Sequence, residues 1–324
     1  MSKKALICGV NGQDGAYLSQ YLLAEGYQVV GSSRDATTNS FHNLRILGIE
    51  NDVELVSMAL NDFRSVYSTV LKSRPCEIYN LAGQSSVGLS FEQPVETMES
   101  IVTGTLNLLE TIRFCDESIR FYSAGSSECF GDTGGEAAIE ETHFFARSPY
   151  AVAKSAAHGL VANYREAYGL HASTGILFNH ESPLRPERFV TQKIVRSAAR
   201  ISEGSSEILT LGNINIQRDW GWAPEYVIAM QKMLQMKVPD DYIIATGRTV
   251  GLKYFIERAF AYFSLDWKEH VSCEDSMRRP TDIGLGMANP DKAHKVLGWK
   301  HVNDVDNVVD LMCAAAADLK YKSR

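Results

Sequence analysis

Short apolar runs alternate with amphipathic stretches along the first half of the chain. The apolar runs are KALICGV, QVVGSSR, EIYNLAG and IRFYSAGS, and segments with helical periodicity separate them, namely AYLSQYLLAEGY, FRSVYSTVLKS and ETMESIVTGTLNLLETIRF. Strands that alternate with helices in this way predict a parallel sheet covered by helices on both faces. The expected fold class is therefore α/β, with a doubly wound parallel sheet.

The pattern loosens after about residue 180. A strand, ASTGILFN (172–179), precedes proline-bearing loops in ESPLRPERF, a helix near VTQKIVRSAARI, an extended run ILTLGNINI, a strand DYIIATG and a helix from about Gly251. We therefore expect two domains. The doubly wound domain covers residues 1–179, and a smaller C-terminal α/β domain covers mainly residues 180–324, with some of its segments returning to the main sheet.

Composition and charge narrow the class of protein. The chain has 324 residues, 45% of them apolar, and a formal net charge of −7, which argues against a nucleic-acid or anionic-membrane surface but leaves room for a local basic cleft. Its six cysteines show no CxxC pair or framework spacing, so we expect reduced thiols. Because MSKKALICGV lacks the features of a signal peptide, we expect a soluble, cytoplasmic protein.

A glycine-rich turn follows the first predicted strand. In GVNGQDGAYLSQYLL, Gly9, Gly12 and Gly15 stand where the strand leads into a helix. Glycines allow a tight turn and close backbone approach, and the free N–H groups of the helix start bind a pyrophosphate. The alternative is a turn that is merely tight. We predict the dinucleotide seat of a Rossmann domain, which includes Gln13 and Asp14, and the glycine spacing is that of the extended short-chain dehydrogenase/reductases.

The second strand ends at residues that bear on the choice of cofactor. Arg34 suits a ribose 2′-phosphate and Ser33 adds a hydroxyl, whereas an acidic residue at this position would bind a ribose 2′-OH. NADP is therefore favoured, although the adjacent Asp35 keeps NAD as an alternative. The expected cofactor site also includes Leu60, Leu81 and Ala82.

Four residues form a candidate catalytic group. Ser126 and Glu128 follow the strand IRFYSAGS, while Tyr150 and Lys154 lie one turn apart on a helix that begins at Ser148-Pro149. An adjacent ammonium favours the phenolate, so Lys154 is expected to activate Tyr150. Glu128 allows a second proton transfer at a neighbouring carbon, which points to dehydration. The alternatives are a surface Tyr–Lys pair and a carboxylate that only caps a turn.

The chain resembles the GDP-mannose 4,6-dehydratases, nucleotide-sugar-modifying members of the extended short-chain dehydrogenase/reductases. The similarity extends over nearly the whole length, and its most specific stretches are RSPYAVAK, GILFNHESPLRPERFVTQKI, QRDWG and RRPTDI. The resemblance implies a tightly held NADP, which Tyr150 and Lys154 also contact. It also implies that the Thr/Ser, Glu, Tyr and Lys of the family correspond to Ser126, Glu128, Tyr150 and Lys154.

The resemblance further implies a reaction and a substrate site. Tyr150 would take the proton of the sugar 4-OH, Glu128 would remove the C5 proton and assist loss of the 6-hydroxyl, and Ser126 would bind the reacting oxygens. Hydride would leave C4 and return at C6, converting GDP-mannose to GDP-4-keto-6-deoxymannose. The implied substrate-binding residues are Ser85, Asn179, Arg185, Lys193, Arg218 and Arg279. Family enzymes form homodimers and homotetramers, and we expect one of these assemblies.

Several alternatives and departures stay open at this point. A dehydratase or decarboxylase of another nucleotide sugar, such as a GDP-heptose, uses similar residues, and a catalytically silent NADP-binding scaffold shares the fold. Ala59 and Ser86 replace an acidic residue and a histidine that are frequent in the family. We expect no metal, because His180 has no second His or Cys at ligand spacing and is better interpreted as a hydrogen-bonded structural histidine. Trp220 and Trp222 are expected to serve packing.

Overall fold

The protein is built from parallel strands with helices between them. The structure is a computed structural model, and it describes residues 3–277 and 279–318. The described strands are β1 (Lys4–Cys8), β2 (Gln28–Ser33), β3 (Val53–Ser57), β4 (Glu77–Asn80), β5 (Arg120–Ala124), β6 (Ala172–Leu177), β7 (Asn179–Glu181), β8 (Leu209–Leu211), β9 (Gln217–Trp222), β10 (Tyr242–Ile244), β11 (Thr249–Gly251) and β12 (Val271–Cys273).

The helices occupy the segments between these strands. The described α-helices are α1 (Gln13–Ala24), α2 (His42–Leu47), α3 (Phe63–Ser73), α4 (Val87–Glu92), α5 (Pro94–Met98), α6 (Gly104–Cys115), α7 (Pro149–Tyr168), α8 (Val190–Ser202), α9 (Ala223–Gln235), α10 (Leu252–Tyr262) and α11 (Val305–Ala317). None of the described helices is long and apolar enough to cross a membrane.

The main sheet has seven strands in the order β10-β6-β5-β4-β1-β2-β3, and every neighbouring pair is parallel. Successive side chains of β1 point to opposite faces, so Ala5 and Ile7 pack in a core with α1 and α9, while Leu6 and Cys8 pack with α3, α6 and α7. The predicted doubly wound parallel sheet is confirmed.

The strand order reverses beside β1. β1 pairs with β2 on one side and with β4 on the other, so the chain builds the sheet outward from this point in both directions. In open α/β sheets a crevice forms outside the carboxyl ends of the strands at such a switch point, and ligands bind there. The fold therefore places a binding crevice above the glycine-rich turn that follows β1.

The C-terminal part forms a second core and also contributes to the first. Helices α8, α10 and α11 pack around β8 and β9, with Trp220 and Phe255 at 5.5 Å between ring centroids. β9 joins β7 and β11 in a three-stranded sheet, and β12 pairs with β8. By contrast, α9 packs in the core that contains α1, and β10 forms the edge of the main sheet beside β6.

Two elements differ in detail from the sequence-based expectation. The predicted strand 172–179 divides at Phe178, whose N–H donates to the Ile244 carbonyl at 3.0 Å, so that β6 stays in the main sheet and β7 pairs with β9. The predicted long helix over ETMESIVTGTLNLLETIRF is α5 and α6 joined by a π-helical turn at Glu99–Thr103. The first difference matters for function because it places Asn179 where the two sheets meet.

Candidate active site

The end of β5 presents a hydroxyl and a carboxylate at the sheet edge. Ser126 accepts a hydrogen bond from the Glu128 N–H at 3.3 Å and so caps a short 3-10 turn over Ser127–Phe130. Glu128 is half-buried, and burial raises the pKa of its carboxyl group, although the guanidinium groups of Arg218 and Arg279 oppose this shift. The cap thus fixes a carboxylate that holds a proton more readily than an exposed glutamate.

Helix α7 brings the phenol and the ammonium to the same edge. Ser148 accepts from the Ala151 N–H at 3.1 Å, and Pro149 occupies the first turn, so the helix begins where the sequence predicts. Tyr150 is buried, and Lys154 Nζ lies 5.8 Å from its ring centroid. Lys154 Nζ also donates to the Ala124 carbonyl at 2.7 Å, which ties the helix to the end of β5.

The ionisation of this pair depends on burial as well as on charge. Burial raises the pKa of Tyr150, and a hydrogen bond with Ser126 offsets this only in part. Burial also lowers the pKa of Lys154 to about 8. Burial therefore favours the uncharged form of both side chains in the protein without cofactor, and activation of Tyr150 by Lys154 stays a prediction.

The glycine-rich turn forms the floor of an elongated cavity. Gly9 has φ +82°, and a Cβ atom on it would lie 2.9 Å from the Ala82 Cα, while a Cβ on Gly15 would lie 2.4 Å from the Gly9 carbonyl oxygen. No side chain caps α1 at Gly12, so the N–H groups of its first turn remain available. The residues present therefore fit the pyrophosphate of a dinucleotide.

This cofactor cavity has a volume of about 580 Å³ and extends to the tip of β2. Arg34 lines it with an 84% exposed side chain and lies 3.7 Å from the Glu96 carboxylate. The Asp35 carboxylate turns away, accepting from the Thr37 N–H at 2.8 Å and from its hydroxyl at 2.6 Å. Arg34 rather than Asp35 therefore lines this end of the cavity, with Glu96 beside it.

A second cavity, of about 350 Å³, collects the predicted catalytic and substrate-binding side chains. Its described lining includes Ser85, Ser126, Glu128, Tyr150, Lys154, Asn179, Arg185, Lys193, Arg218 and Arg279. The two cavities share Leu81, Ser85 and Arg188, so they meet beside the catalytic residues. A dinucleotide in the first cavity and a substrate in the second would therefore be in contact.

The cations of the second cavity are balanced by local partners. Arg185 Nε lies 3.3 Å from Glu181, and Asp282 lies 3.8 Å from Arg218 and 3.9 Å from Arg279. Lys193, on α8, donates to the Thr210 carbonyl at 2.7 Å. The guanidinium groups that line this cavity suit bidentate binding of a diphosphate, with Asp282 close to two of them.

Comparison with known proteins identifies the family. The sequence model of the GDP-mannose 4,6 dehydratase family matches residues 6–312. The chain belongs to this family. It is 44% identical over 334 residues to GDP-mannose 4,6 dehydratase 1 of Arabidopsis thaliana, with 99% of this chain and 92% of that protein covered. It is 38% identical over 362 residues to the GDP-mannose 4,6-dehydratase of Vibrio cholerae, with 100% and 96% covered.

Solved structures share the fold at lower sequence identity. The dTDP-glucose 4,6-dehydratase DesIV of Streptomyces venezuelae, solved with NAD, superposes with a TM-score of 0.86 at 18% identity, over 96% of each chain. RMD of Pseudomonas aeruginosa, solved with NADPH, gives a TM-score of 0.80 at 21% identity, over 98% of this chain and 99% of that one. These similarities extend the fold assignment over nearly the whole chain.

Within this GDP-mannose 4,6-dehydratase fold, two predicted cofactor residues lie behind the cavity wall. Gln13 is buried, and its amide donates to the His180 carbonyl at 3.2 Å. Gly15 packs against the Gly9 carbonyl. The other predicted cofactor residues line the two cavities, namely Gly9, Gly12, Arg34, Leu60, Leu81 and Ala82 in the first and Asp14, Leu81, Tyr150 and Lys154 in the second.

Sequence reasoning missed several residues that line the cavities. Asn11 and Ser32 lie in the cofactor cavity, and both belong to segments already singled out, the glycine-rich turn and the tip of β2. Asp282 belongs to the RRPTDI stretch, of which only Arg279 was predicted to bind the substrate. Arg188 carries no sequence signal, since it follows two prolines in an irregular loop and only the fold shows that it borders both cavities.

Three residues given packing or structural roles make the contacts expected of them. Trp220 is 1% exposed and packs on Phe255, and Trp222 packs against the same core. His180 makes hydrogen bonds through both ring nitrogens. In the described part of the chain, no group of three or more His, Cys, Asp or Glu side chains could hold a metal ion.

The glycine-rich turn generates the first prediction. Gly15→Ala should weaken NADPH binding by about tenfold or more, because the added methyl group would overlap the Gly9 carbonyl and displace the turn. Fluorescence titration with NADPH measures this. Gly159→Ala is the matched control, since Gly159 lies in α7 and a methyl group added there would meet no neighbouring atom within 4 Å, so the affinity should stay unchanged. Unchanged affinity in Gly15→Ala would contradict the proposed seat.

Proposed function

We propose that the chain is an NADP-dependent GDP-mannose 4,6-dehydratase that forms GDP-4-keto-6-deoxymannose. The observation that carries this proposal is the presence of Glu128 in one cavity with Ser126, Tyr150 and Lys154. The same cavity is lined by arginine side chains, namely Arg185, Arg218 and Arg279. Relatives named GDP-mannose 4,6-dehydratase at 38% to 44% identity over nearly the full length support this substrate over another nucleotide sugar and over a silent scaffold.

The cofactor cavity would hold NADP through complementary charge. The N–H groups at the start of α1 face the pyrophosphate position, and Arg34 stands where a ribose 2′-phosphate would lie. The adjacent Asn39 amide donates to the Ser33 hydroxyl at 2.9 Å and orders this end of the cavity. Arg34 supports NADP over NAD, because the neighbouring Asp35 is engaged with its own loop.

The arginine side chains of the second cavity would hold the diphosphate of the GDP-sugar. Arg218 is 5% exposed, and burial lowers its pKa while the nearby Glu128 and Asp282 carboxylates oppose the shift. A buried guanidinium interacts strongly with an anion, because little solvent screens it. Arg185 and Arg279 would complete the diphosphate site, and Ser85, Asn179 and Lys193 would orient the remaining groups of the substrate.

Tyr150 would accept the first proton. NADP, when bound, supplies the hydride acceptor at C4 and the hydride donor at C6. Tyr150 would take the proton of the 4-hydroxyl, with the Ser126 hydroxyl and the Lys154 ammonium stabilising the phenolate that this step requires. The Lys154 pKa of about 8 keeps the ammonium form at neutral pH while leaving it able to exchange a proton.

Glu128 would perform the elimination. The 4-ketone acidifies the C5 hydrogen, and the Glu128 carboxylate would remove that proton and then return it to the departing 6-hydroxyl as water forms. Burial raises the pKa of Glu128, which strengthens it as a base and keeps the captured proton available. One carboxyl group can serve both steps because C5 and the 6-hydroxyl are neighbours on the sugar. C5 then recovers a proton as hydride reaches C6, which balances the proton that Tyr150 took from the 4-hydroxyl.

We further propose a homodimeric or homotetrameric enzyme of the cytoplasm. Val95 and Met98 on α5 and Val152 on α7 are exposed, and an apolar surface of this kind supports self-association. All six cysteines are free, which supports a reducing compartment.

Because Tyr150 and Glu128 are proposed to serve different steps, a prediction follows for Glu128. Glu128→Gln should lower dehydration of GDP-mannose by about a hundredfold or more and still form 4-keto sugar without loss of water, up to one per bound NADP, because Tyr150 remains and the base at C5 does not. Tyr150→Phe should form neither product. Mass spectrometry of the sugar nucleotide distinguishes these outcomes. Glu136→Gln, at an exposed position in the same connection, is the control. Normal dehydration by Glu128→Gln would refute its role.

The cofactor preference gives a separate prediction. Arg34→Ser should reduce NADPH affinity by about tenfold and leave NADH affinity unchanged, because only NADPH carries the 2′-phosphate. Isothermal titration with both nucleotides measures the two affinities. Arg64→Ser, at an exposed position on α3, should alter neither. An equal loss of affinity for both nucleotides would show that Arg34 does not bind the 2′-phosphate.

A further inference from the structure

A buried histidine links the cofactor turn to the strand that carries Asn179. His180 is 7% exposed in β7, and Asp14 lies in the first turn of α1. His180 Nε2 lies 2.9 Å from Asp14 Oδ2, and His180 Nδ1 lies 2.8 Å from the Phe178 carbonyl oxygen. The pair therefore joins two segments that are remote in sequence and that border the two cavities.

Both neighbours of the imidazole ring can only accept hydrogen bonds. A backbone carbonyl has no proton to donate, and the pKa of Asp14 is lowered to about 2, so its carboxylate is ionised at neutral pH. A neutral imidazole has one N–H and would set a lone pair against one of these acceptors. An imidazolium has two N–H groups and satisfies both.

We infer that His180 is a permanently protonated imidazolium and a positioning residue, which holds the first turn of α1 against β7 through Asp14. This inference rests on the proposed function only where it concerns the bound nucleotides. The protonation state itself is a property of the free protein.

The surroundings of His180 favour the cation. Burial by itself lowers the pKa of His180, and the nearby Arg185 lowers it further, but the Asp14 carboxylate exceeds both and the net shift is upward. The Tyr226 ring from α9 stacks on the imidazole at 4.7 Å and stays neutral, because burial raises the pKa of its phenol. The Glu181 carboxylate is engaged with Arg185 and the Thr191 hydroxyl.

Three further hydrogen bonds complete the link, which we call the α1–β7 clasp (Gln13, Asp14, His180 and Ser182). The Gln13 amide donates to the His180 carbonyl at 3.2 Å and to Asp14 Oδ1 at 3.0 Å. The Ser182 hydroxyl donates to Gln13 Oε1 at 2.7 Å. The clasp directly follows Gly12, the residue before α1, and Asn179 in β7, so the charge on His180 positions both ligand sites.

Nuclear magnetic resonance of the ligand-free protein tests the charge directly. With ¹⁵N-labelled histidine, both His180 nitrogens should show the imidazolium signature from pH 6 to pH 8. His158 is an internal control, because its Nε2 lies 3.7 Å from Asp241 and its Nδ1 has no hydrogen-bond partner among the described residues, and burial lowers its pKa. His158 should be neutral at pH 7, and a neutral His180 at pH 7 would overturn the inference.

Nucleotide affinity tests the positioning role. His180→Gln and Asp14→Asn should each weaken NADPH binding by about tenfold, and the double variant should bind no more weakly than either single one. In Asp14→Asn the His180 pKa falls, so the loss of affinity relative to the unmodified protein should grow as pH rises from 6 to 8. His158→Gln should retain full affinity.

A purely structural role gives different results. An affinity loss in Asp14→Asn that is the same at every pH, or additive losses in the double variant, would overturn the positioning role. Variants that fail to fold leave the resonance measurement decisive. An imidazolium in a protein that does not bind NADPH would refute the proposed function and leave the charge assignment intact.

Discussion

The parallel alignment of the central strands is the constraint on which the site depends. Because β1, β4, β5 and β6 run in the same direction, their carboxyl ends lie at one edge of the sheet. The glycine-rich turn follows β1, the Ser126–Glu128 turn follows β5, and β7 follows β6. Helix α7 then returns over this edge, where Lys154 bonds to the Ala124 carbonyl. Residues from distant parts of the sequence thereby line two cavities that meet at this edge.

Burial shifts the pKa values of the ionisable side chains in the substrate cavity. Desolvation raises the pKa values of Tyr150 and Glu128 and lowers that of Lys154 to about 8, so each is moved toward its uncharged form. The exceptions are groups with a close partner of opposite charge, above all Asp14 beside His180. For Tyr150, Glu128 and Lys154 burial therefore outweighs the nearby opposite charges, while for Asp14 the His180 partner outweighs burial. This contrast follows from the placement of the residues in the fold.

Local sequence rules predict much of this arrangement. The glycine spacing indicates the turn after β1, and Ser148-Pro149 marks the start of α7, so Tyr150 and Lys154 fall on one helix face as expected. What depends on long-range packing could not be predicted. The direction of the Tyr150 pKa shift, the division of residues 172–181 between two sheets, and the position of Arg188 between the cavities all require the tertiary structure.

The central claim is that the hydrogen removed from C4 of the sugar is the one delivered to C6, while the chain's own groups handle only protons. The most direct measurement uses GDP-mannose deuterated at C4, with the label in the product located by mass spectrometry and magnetic resonance. The account predicts that the deuterium appears in the new C6 methyl group of the same molecule. Loss of the deuterium to solvent, or its retention on the nucleotide cofactor after turnover, would contradict it.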